Sequence, residues 1–298
     1  MSSLEPPSAA QPRSRQRRTT LLLIAVFATL ATLTWRASQP TVIVGRLWPT
    51  AERVAIGEVS HQAWNELLHR YVDADGLVDY AGWKQSVEDS RRLEDYLATL
   101  SRVDEARDAT TTERLAFWIN AYNAVTVRGI LREYPTTSIQ NHVARVWGYN
   151  IWRDLKLIVG DNRHSLGNIE HSVLRKMNEP RIHFAIVCAS RGCPRLLNEA
   201  YSAEGLEEQL SRNTVAFFAD PTKCSVDAEQ NELQLSPILD WFAADFGAST
   251  PAMLKRIANG LPEPVQAVAR SKDVRVTYLD YDWSLNDQAT VGPPLPPL

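Results

Sequence analysis

The clearest pattern in the chain runs from Thr112 to Arg132. There Leu115, Trp118, Ala121, Tyr122, Val125 and Ile130 recur at helical spacing, and Tyr134-Pro135 stops the run. Upstream, Trp64, Leu67, Leu68 and Tyr71 predict a helix starting near Glu58. The turn Asp73-Ala-Asp-Gly76 and a short extended piece at Leu77 to Tyr80 lead into another, with Val87, Leu93, Leu97 and Leu100 inside. Downstream the period shortens. Residues 154–159 and 164–166 read as a hairpin with a four-residue loop, Gly160 to Arg163, followed by a short helix carrying Ile169, Val173 and Leu174. Ile182 to Cys188 is almost wholly apolar and reads as a central strand buried on both faces. Ser202 to Ala219 reads as helix, Cys224 to Val226 with Leu233 to Leu235 as a second hairpin, and Val274 to Tyr278 as a last strand. Ser236-Pro237 and Thr250-Pro251 each supply an N-cap and first-turn pair for a helix. Helices come first and strands later, without β-α-β alternation. That predicts an α+β fold in a single compact domain, with a mainly helical N-terminal half and a mixed or antiparallel sheet.

One hydrophobic run does not belong to that pattern. Thr19 to Trp35 is seventeen residues without a charge, and Arg13, Arg15, Arg17 and Arg18 precede it. A basic segment abutting such a run is a targeting signature, near the lower length limit of a spanning helix. Ala28, Ala31 and Ala37 are wrongly spaced for signal cleavage, so an uncleaved transmembrane anchor is expected over a removed signal segment. The resulting division is a basic cytoplasmic leader at 1–18, the anchor at 19–35, a linker at 36–57, a globular domain at 58–288 and a disordered Pro-rich tail at 289–298. The arginines place the leader in the cytoplasm, giving a single-pass protein of the inner (cytoplasmic) membrane whose domain lies in the periplasm or outside.

Composition changes the picture in two ways. The net charge of -3 is an average, since residues 1–40 carry +4 and the rest of the 298-residue chain -7. An acidic body argues against a nucleic-acid partner, which needs a basic face, and leaves the membrane and an unknown small-molecule or peptide ligand as partners. Three cysteines, Cys188, Cys193 and Cys224, would sit in an oxidising compartment with at least one thiol unpaired. The six histidines show no ligand spacing and the cysteines no zinc pattern, so no metal is expected. Phosphate-cradling and dinucleotide-binding loops are missing too, so no cofactor is expected.

The densest chemistry lies in Arg181-Ile-His-Phe-Ala-Ile-Val-Cys-Ala-Ser-Arg-Gly-Cys-Pro-Arg195. Strand alternation would set His183 and Cys188 on opposite faces, which makes them poor partners and Cys188 an ordinary buried strand cysteine. Cys193 lies past the strand end, where Arg191, Arg195, Arg181 or Arg175 could stabilise a thiolate. His183 or His171 could then act as base, oriented by Glu170 or by Asn120 or Asn123, which share one helix face with Trp118 and Tyr122. Three plainer readings compete: the asparagines tie down neighbouring loops, the arginines pair with carboxylates or bind an anion, and Cys188 with Cys193 forms a disulfide. On the helix holding Asp240, Trp241, Asp245 and Phe246, the aromatics read as core and the acids as a solvated or Arg-pairing face.

Taken in order, several motifs carry a resemblance. Phe117-Trp-Ile-Asn-Ala-Tyr-Asn-Ala124, Asn168-Ile-Glu-His171 with Arg175, Arg181-Ile-His-Phe-Ala-Ile, Cys188 through Cys193-Pro194, Ser236 with Trp241 and Asp245-Phe246, and Tyr281-Asp-Trp-Ser-Leu-Asn286 are similar to the family named domain of unknown function 547. The resemblance runs from about Ala63 to Asn286. It implies importance for Trp118, Asn120, Tyr122, Asn123, Glu170, His171, Arg175, Arg181, His183, Cys188, Cys193 and Pro194 without giving them roles. Three functions follow as expectations: a thiol-dependent hydrolase or transferase using Cys193 with a histidine base, a ligand-binding or scaffolding module with a structural cysteine pair, and a thiol–disulfide exchange protein.

Overall fold

The architecture is taken from a computed structural model, which describes residues 41–144, 148–227, 229–247 and 249–290. The leader, the apolar run at 19–35 and the end of the Pro-rich tail lie outside them. Among the described residues no helix is long and apolar enough to cross a membrane.

Helix α1 (Gln62–Tyr71) buries Trp64, Leu67, Leu68 and Tyr71. The single helix expected after it is two, α2 (Tyr80–Gln85) and α3 (Val87–Leu100), because Ser86 breaks the run and caps the second through Asp89 N–H. Aromatic faces join the three: Trp64 stacks on Tyr96 and Tyr71 on Trp83, with centroids 5.9 and 4.7 Å apart. Helix α4 (Thr111–Glu133) is the axis of the fold. Thr110 and Glu113 form a reciprocal capping box at its start, and residues Leu115 to Val127 are all buried. A helix buried on every side must find partners for each polar side chain it carries, and its two asparagines do so.

From Thr41 on, the segment expected as a linker at 36–57 is built into the domain. Val42–Val44 forms strand β1, parallel to β2 (Leu155–Val159), and Val44 and Ile56 are in the core. The compact unit accordingly starts at Thr41. Strand β3 (Asn162–Ser165) pairs antiparallel with β2 across Gly160-Asp161, a two-residue turn in place of the expected four. Gly160 at φ +59° is what allows so tight a reversal. The second sheet joins β4 (Cys224–Asp227) antiparallel to β5 (Glu232–Leu235), and β5 parallel to β6 (Arg275–Tyr278). Helix α5 (Leu206–Ala219) packs Phe217 and Phe218 into the core beneath that sheet. The fold is therefore α+β, with two small mixed sheets.

The apolar segment 182–188 is not a strand. Glu179 caps a tight 3-10 turn over Pro180–Phe184, with Pro180 in its first turn, and the chain then continues without a neighbouring strand. Side-chain amides take the place of a strand partner. Asn123 of α4 donates to Ala185 O (3.0 Å) and accepts from Val187 N–H (2.9 Å), while Asn213 of α5 donates to Phe184 O (2.5 Å). An apolar run of this length fits a buried strand or a buried irregular segment equally well, and the proline decides it. The segment sits between two cores: Ile182, Ala185, Ile186 and Val187 join the larger, and Phe184 the one under the second sheet.

Candidate functional site

Beyond Val187 the backbone turns sharply. Ala189 adopts φ +60°, an uncommon conformation for a residue with a Cβ, and the loop it opens is clamped onto the segment 282–286. Arg191 N–H donates to Ser284 O (2.9 Å), Gly192 N–H to Asp282 O (2.8 Å) and Asn286 N–H to Ala189 O (3.2 Å). Gly192 is required there, because a Cβ would fall 2.9 Å from the ring of Tyr281. The clamp brings Tyr281 over the two cysteines, which are bonded to each other.

The two sulfurs are not equivalent. Cys188 is partly exposed, whereas Cys193 is 5% exposed. Donors converge on the inner one: Cys188 N–H lies 2.9 Å from Cys193 Sγ, and the Tyr281 and Ser190 hydroxyls at 3.1 and 3.4 Å are bonded to each other at 2.9 Å, so one of them donates to the sulfur and the other to its neighbour. The Tyr281 and Ser190 hydroxyls also contact Cys188 Sγ at 3.3 and 3.2 Å. Burial holds the Tyr281 phenol well above its ordinary pKa, which keeps its proton available for donation.

The disulfide forms part of the wall of a cleft of about 340 Å³, with Glu170, His171, His183 and an aromatic rim of Phe242, Trp241 and Trp283 also lining it. His183 and Cys188 therefore face the same space, correcting the expectation from strand alternation. Glu170 is carried by a single wide turn, Ile169–Val173, and is buried. Burial raises its pKa against the opposing pull of His171, Tyr122 and Arg175, and the Tyr122 hydroxyl lies 3.4 Å from its Oε2. His183 donates from Nε2 to Asp245 (2.7 Å), and burial pushes its pKa down to about 4 in spite of that carboxylate. Phe242 stacks on the imidazole at 4.1 Å. Asp245 also accepts from Arg175 at 2.6 and 2.9 Å, and Arg175 reaches His171 Nδ1 at 3.2 Å. The neutral His183, the Asp245 carboxylate and Arg175 thus form one satisfied network along the cleft wall.

Several expected site residues have other work. No expected arginine serves the sulfur: Arg175 holds Asp245, Arg181 holds Glu179 and Glu207, Arg191 donates to Thr290, and Arg195 to Asn213 and Ala74 O. Asn120 exchanges hydrogen bonds with the Tyr201 backbone (2.8 and 2.9 Å) as Asn123 does with 185–187, so both tie down neighbouring chain. Trp118 is buried against His164, 4.8 Å between centroids, away from the cleft residues. Cys224, in the second core, has its thiol pushed up to about 11 by burial. Asp245 and Phe246 follow expectation as Arg-paired acid and core aromatic, but Trp241 is 48% exposed. Ser190, Tyr281 and Trp283 were missed as site residues. The Tyr281-Asp-Trp283 motif was the available signal, and only the long-range clamp shows what it does. A larger groove, about 760 Å³, lies beside α6 (Thr250–Ile257), α7 (Glu263–Ala269) and β6; no cysteine, histidine or carboxylate lines it. Among the described residues no cluster of histidines, cysteines and carboxylates could hold a metal.

Residues 106–218 match the model of a family described as protein of unknown function, DUF547. The match supports the resemblance over that span, which contains α4, Glu170, His183 and both cysteines of the cleft; Trp241, Asp245, Tyr281 and Trp283 fall beyond it. No curated protein and no solved structure matches the chain.

Proposed function

We propose that the domain performs thiol–disulfide exchange at Cys188–Cys193, with a dithiol of a second molecule as co-reactant. The observation that carries the reading is the asymmetry of the sulfurs: Cys188 is the reachable one, and a backbone N–H and a linked pair of hydroxyls wait at Cys193. A thiolate of the second molecule attacks Cys188 Sγ and forms a mixed disulfide. The Cys188–Cys193 bond breaks, and its electron pair goes to Cys193, whose thiolate the backbone N–H and one hydroxyl of the Ser190–Tyr281 pair stabilise. The second thiolate of the same molecule then attacks its own bonded sulfur, expelling Cys188 as thiolate. Two electrons pass from the dithiol to the pair, and the two protons it sheds reside on Cys188 and Cys193. Glu170, a cleft carboxyl that burial keeps prone to protonation, is suited to hold a proton between the steps.

A purely structural staple is disfavoured by position. Cysteines five apart close a small loop, worth roughly 2 kcal/mol of chain entropy against about 4.7 kcal/mol for a loop of one hundred residues. Arg13 to Arg18 ahead of the apolar run at 19–35 support an anchored protein with the domain outside the cytoplasm, where such exchange has substrates. A second reading draws on the His183–Asp245 pair: after reduction, Cys193 acts as nucleophile of a hydrolase or transferase with His183 as base. It requires turnover of an acyl substrate by the reduced protein, which exchange does not.

Alkylation of the native protein with and without dithiothreitol, read by mass spectrometry, tests the proposal. The expected result is no label before reduction, one label on the reachable Cys188 afterwards, and labelling of the shielded Cys193 and Cys224 only on unfolding, with the fold of the reduced protein intact by circular dichroism. A pair that stays bonded until the protein unfolds would overturn it.

A further inference from the structure

Building on the exchange reading, we infer that the thiol taken by this cleft belongs to a polypeptide segment whose cysteine neighbours an aromatic and a basic side chain, and not to a small anionic thiol. The aromatic part rests on a platform continuous with the sulfurs. Trp241, Tyr281 and Trp283 pack on one another with centroids 4.5 to 5.8 Å apart, and Trp241 is 48% exposed. Tyr281 belongs to both places: its ring packs in the platform and its hydroxyl lies 3.3 Å from Cys188 Sγ. One ring therefore spans the gap, and a side chain on the tryptophans and a thiol at Cys188 fit neighbouring residues of one chain, whose Cα atoms are about 3.8 Å apart.

The basic part follows from charge. Asp240 adjoins Trp241, and Asp280 and Asp282 flank Tyr281; all three are exposed, and none has an ion-pair partner among the described residues. The cation nearest the histidines, Arg175, is committed to Asp245 by two hydrogen bonds. Asp280 and Asp282 share the adjoining groove with Arg191 and Arg195, so three carboxylates outnumber two cations around the platform; an anionic thiol such as glutathione meets that net negative charge, with Arg175 already spent. A lysine or arginine beside the attacking cysteine meets attraction of the right sign.

The test uses the oxidised full chain and compares a blocked peptide centred on Phe-Cys-Lys, its Ser-Cys-Glu counterpart and reduced glutathione. Each rate of pair reduction is divided by that thiol's own rate with an uncharged aromatic disulfide, which removes differences in thiol acidity. The Phe-Cys-Lys peptide is expected to react about tenfold faster than either competitor at low salt. Trp241→Ala should shrink the aromatic share of that ratio, and Asp240→Lys with Asp280→Lys, on exposed carboxylates, should reverse the charge share. Equal normalised rates, or glutathione fastest, would overturn the inference while leaving exchange standing. Failure of dithiothreitol to reduce the pair would overturn the exchange reading itself, and the inference with it.

Discussion

Two regions of this domain are built from buried polar side chains, and they use them in opposite ways. In the first, Asn120, Asn123 and Asn213 each spend both ends of an amide, the carbonyl accepting from one group and the NH₂ donating to another. In the second, Glu170, His171, His183 and the cysteine pair border open space, and donors gather at a sulfur whose bonded state has little use for them. A buried polar residue fully consumed by backbone is holding the fold. One that faces a cleft with capacity left, among groups whose protonation is displaced, is available for chemistry.

The contrast can be broken most forcefully at Asn123. Asn123→Leu leaves Ala185 O and Val187 N–H buried without partners, so a loss of about 3–5 kcal/mol in urea unfolding is expected. A loss below about 1 kcal/mol would mean that water or a shifted backbone replaces the amide.

The next effect separates the regions by pH, because the amides of the asparagines do not titrate and the cleft residues do. The folded pKa of His183 lies at about 4, below its ordinary 6.5, so the unfolded chain takes up a proton that the folded one refuses. Stability is full above pH 6.5 and falls towards pH 4, by about 3 kcal/mol from this group. His183→Gln should remove this group's share of that slope and leave the share of His61, which burial likewise holds at about 4; an unchanged slope would place the acid sensitivity elsewhere.

Replacing both Cys188 and Cys193 with serine should cost only about 2 kcal/mol, on the loop-entropy argument, while abolishing exchange. A much larger loss, or unfolding, would move the pair into the structural class with the asparagines.

The smallest effect concerns Glu170, whose raised pKa means that the folded state binds a proton the unfolded state releases. Its stabilisation is lost as pH rises from the ordinary carboxyl range through the raised value. Glu170→Gln should therefore gain stability at neutral pH, while slowing exchange. A variant that loses stability would show that Tyr122 needs the carboxylate.

What could be read from the chain follows from how locally each feature is determined. Helix α4 was legible nearly to its ends, because its period, its cap and its stop at Tyr134-Pro135 lie within one stretch. The segment at 182–188 was not, since its apolar run is compatible with a strand and its real partners, Asn123 and Asn213, come from two distant helices. Cys188, Cys193, Glu170 and His183 were all recognisable as candidates. Their arrangement was not, because it depends on the clamp between residues 189–192 and 282–286, on Ala189 at φ +60° and on Gly192 admitting the Tyr281 ring. The arginines misled for a physical reason: nearness in sequence to Cys193 says nothing of which carboxylate a long side chain reaches.

The most direct test of the central claim is to trap the mixed disulfide on single-cysteine variants. Reduced Cys193→Ser and Cys188→Ser are each mixed with the disulfide form of the Phe-Cys-Lys peptide, and the adducts are quantified by non-reducing mass spectrometry. With Cys188 as the reachable sulfur and Cys193 as the shielded one, Cys193→Ser should accumulate the peptide on Cys188, and Cys188→Ser should form little adduct. Accumulation on Cys193 instead, or on neither sulfur, would contradict the account.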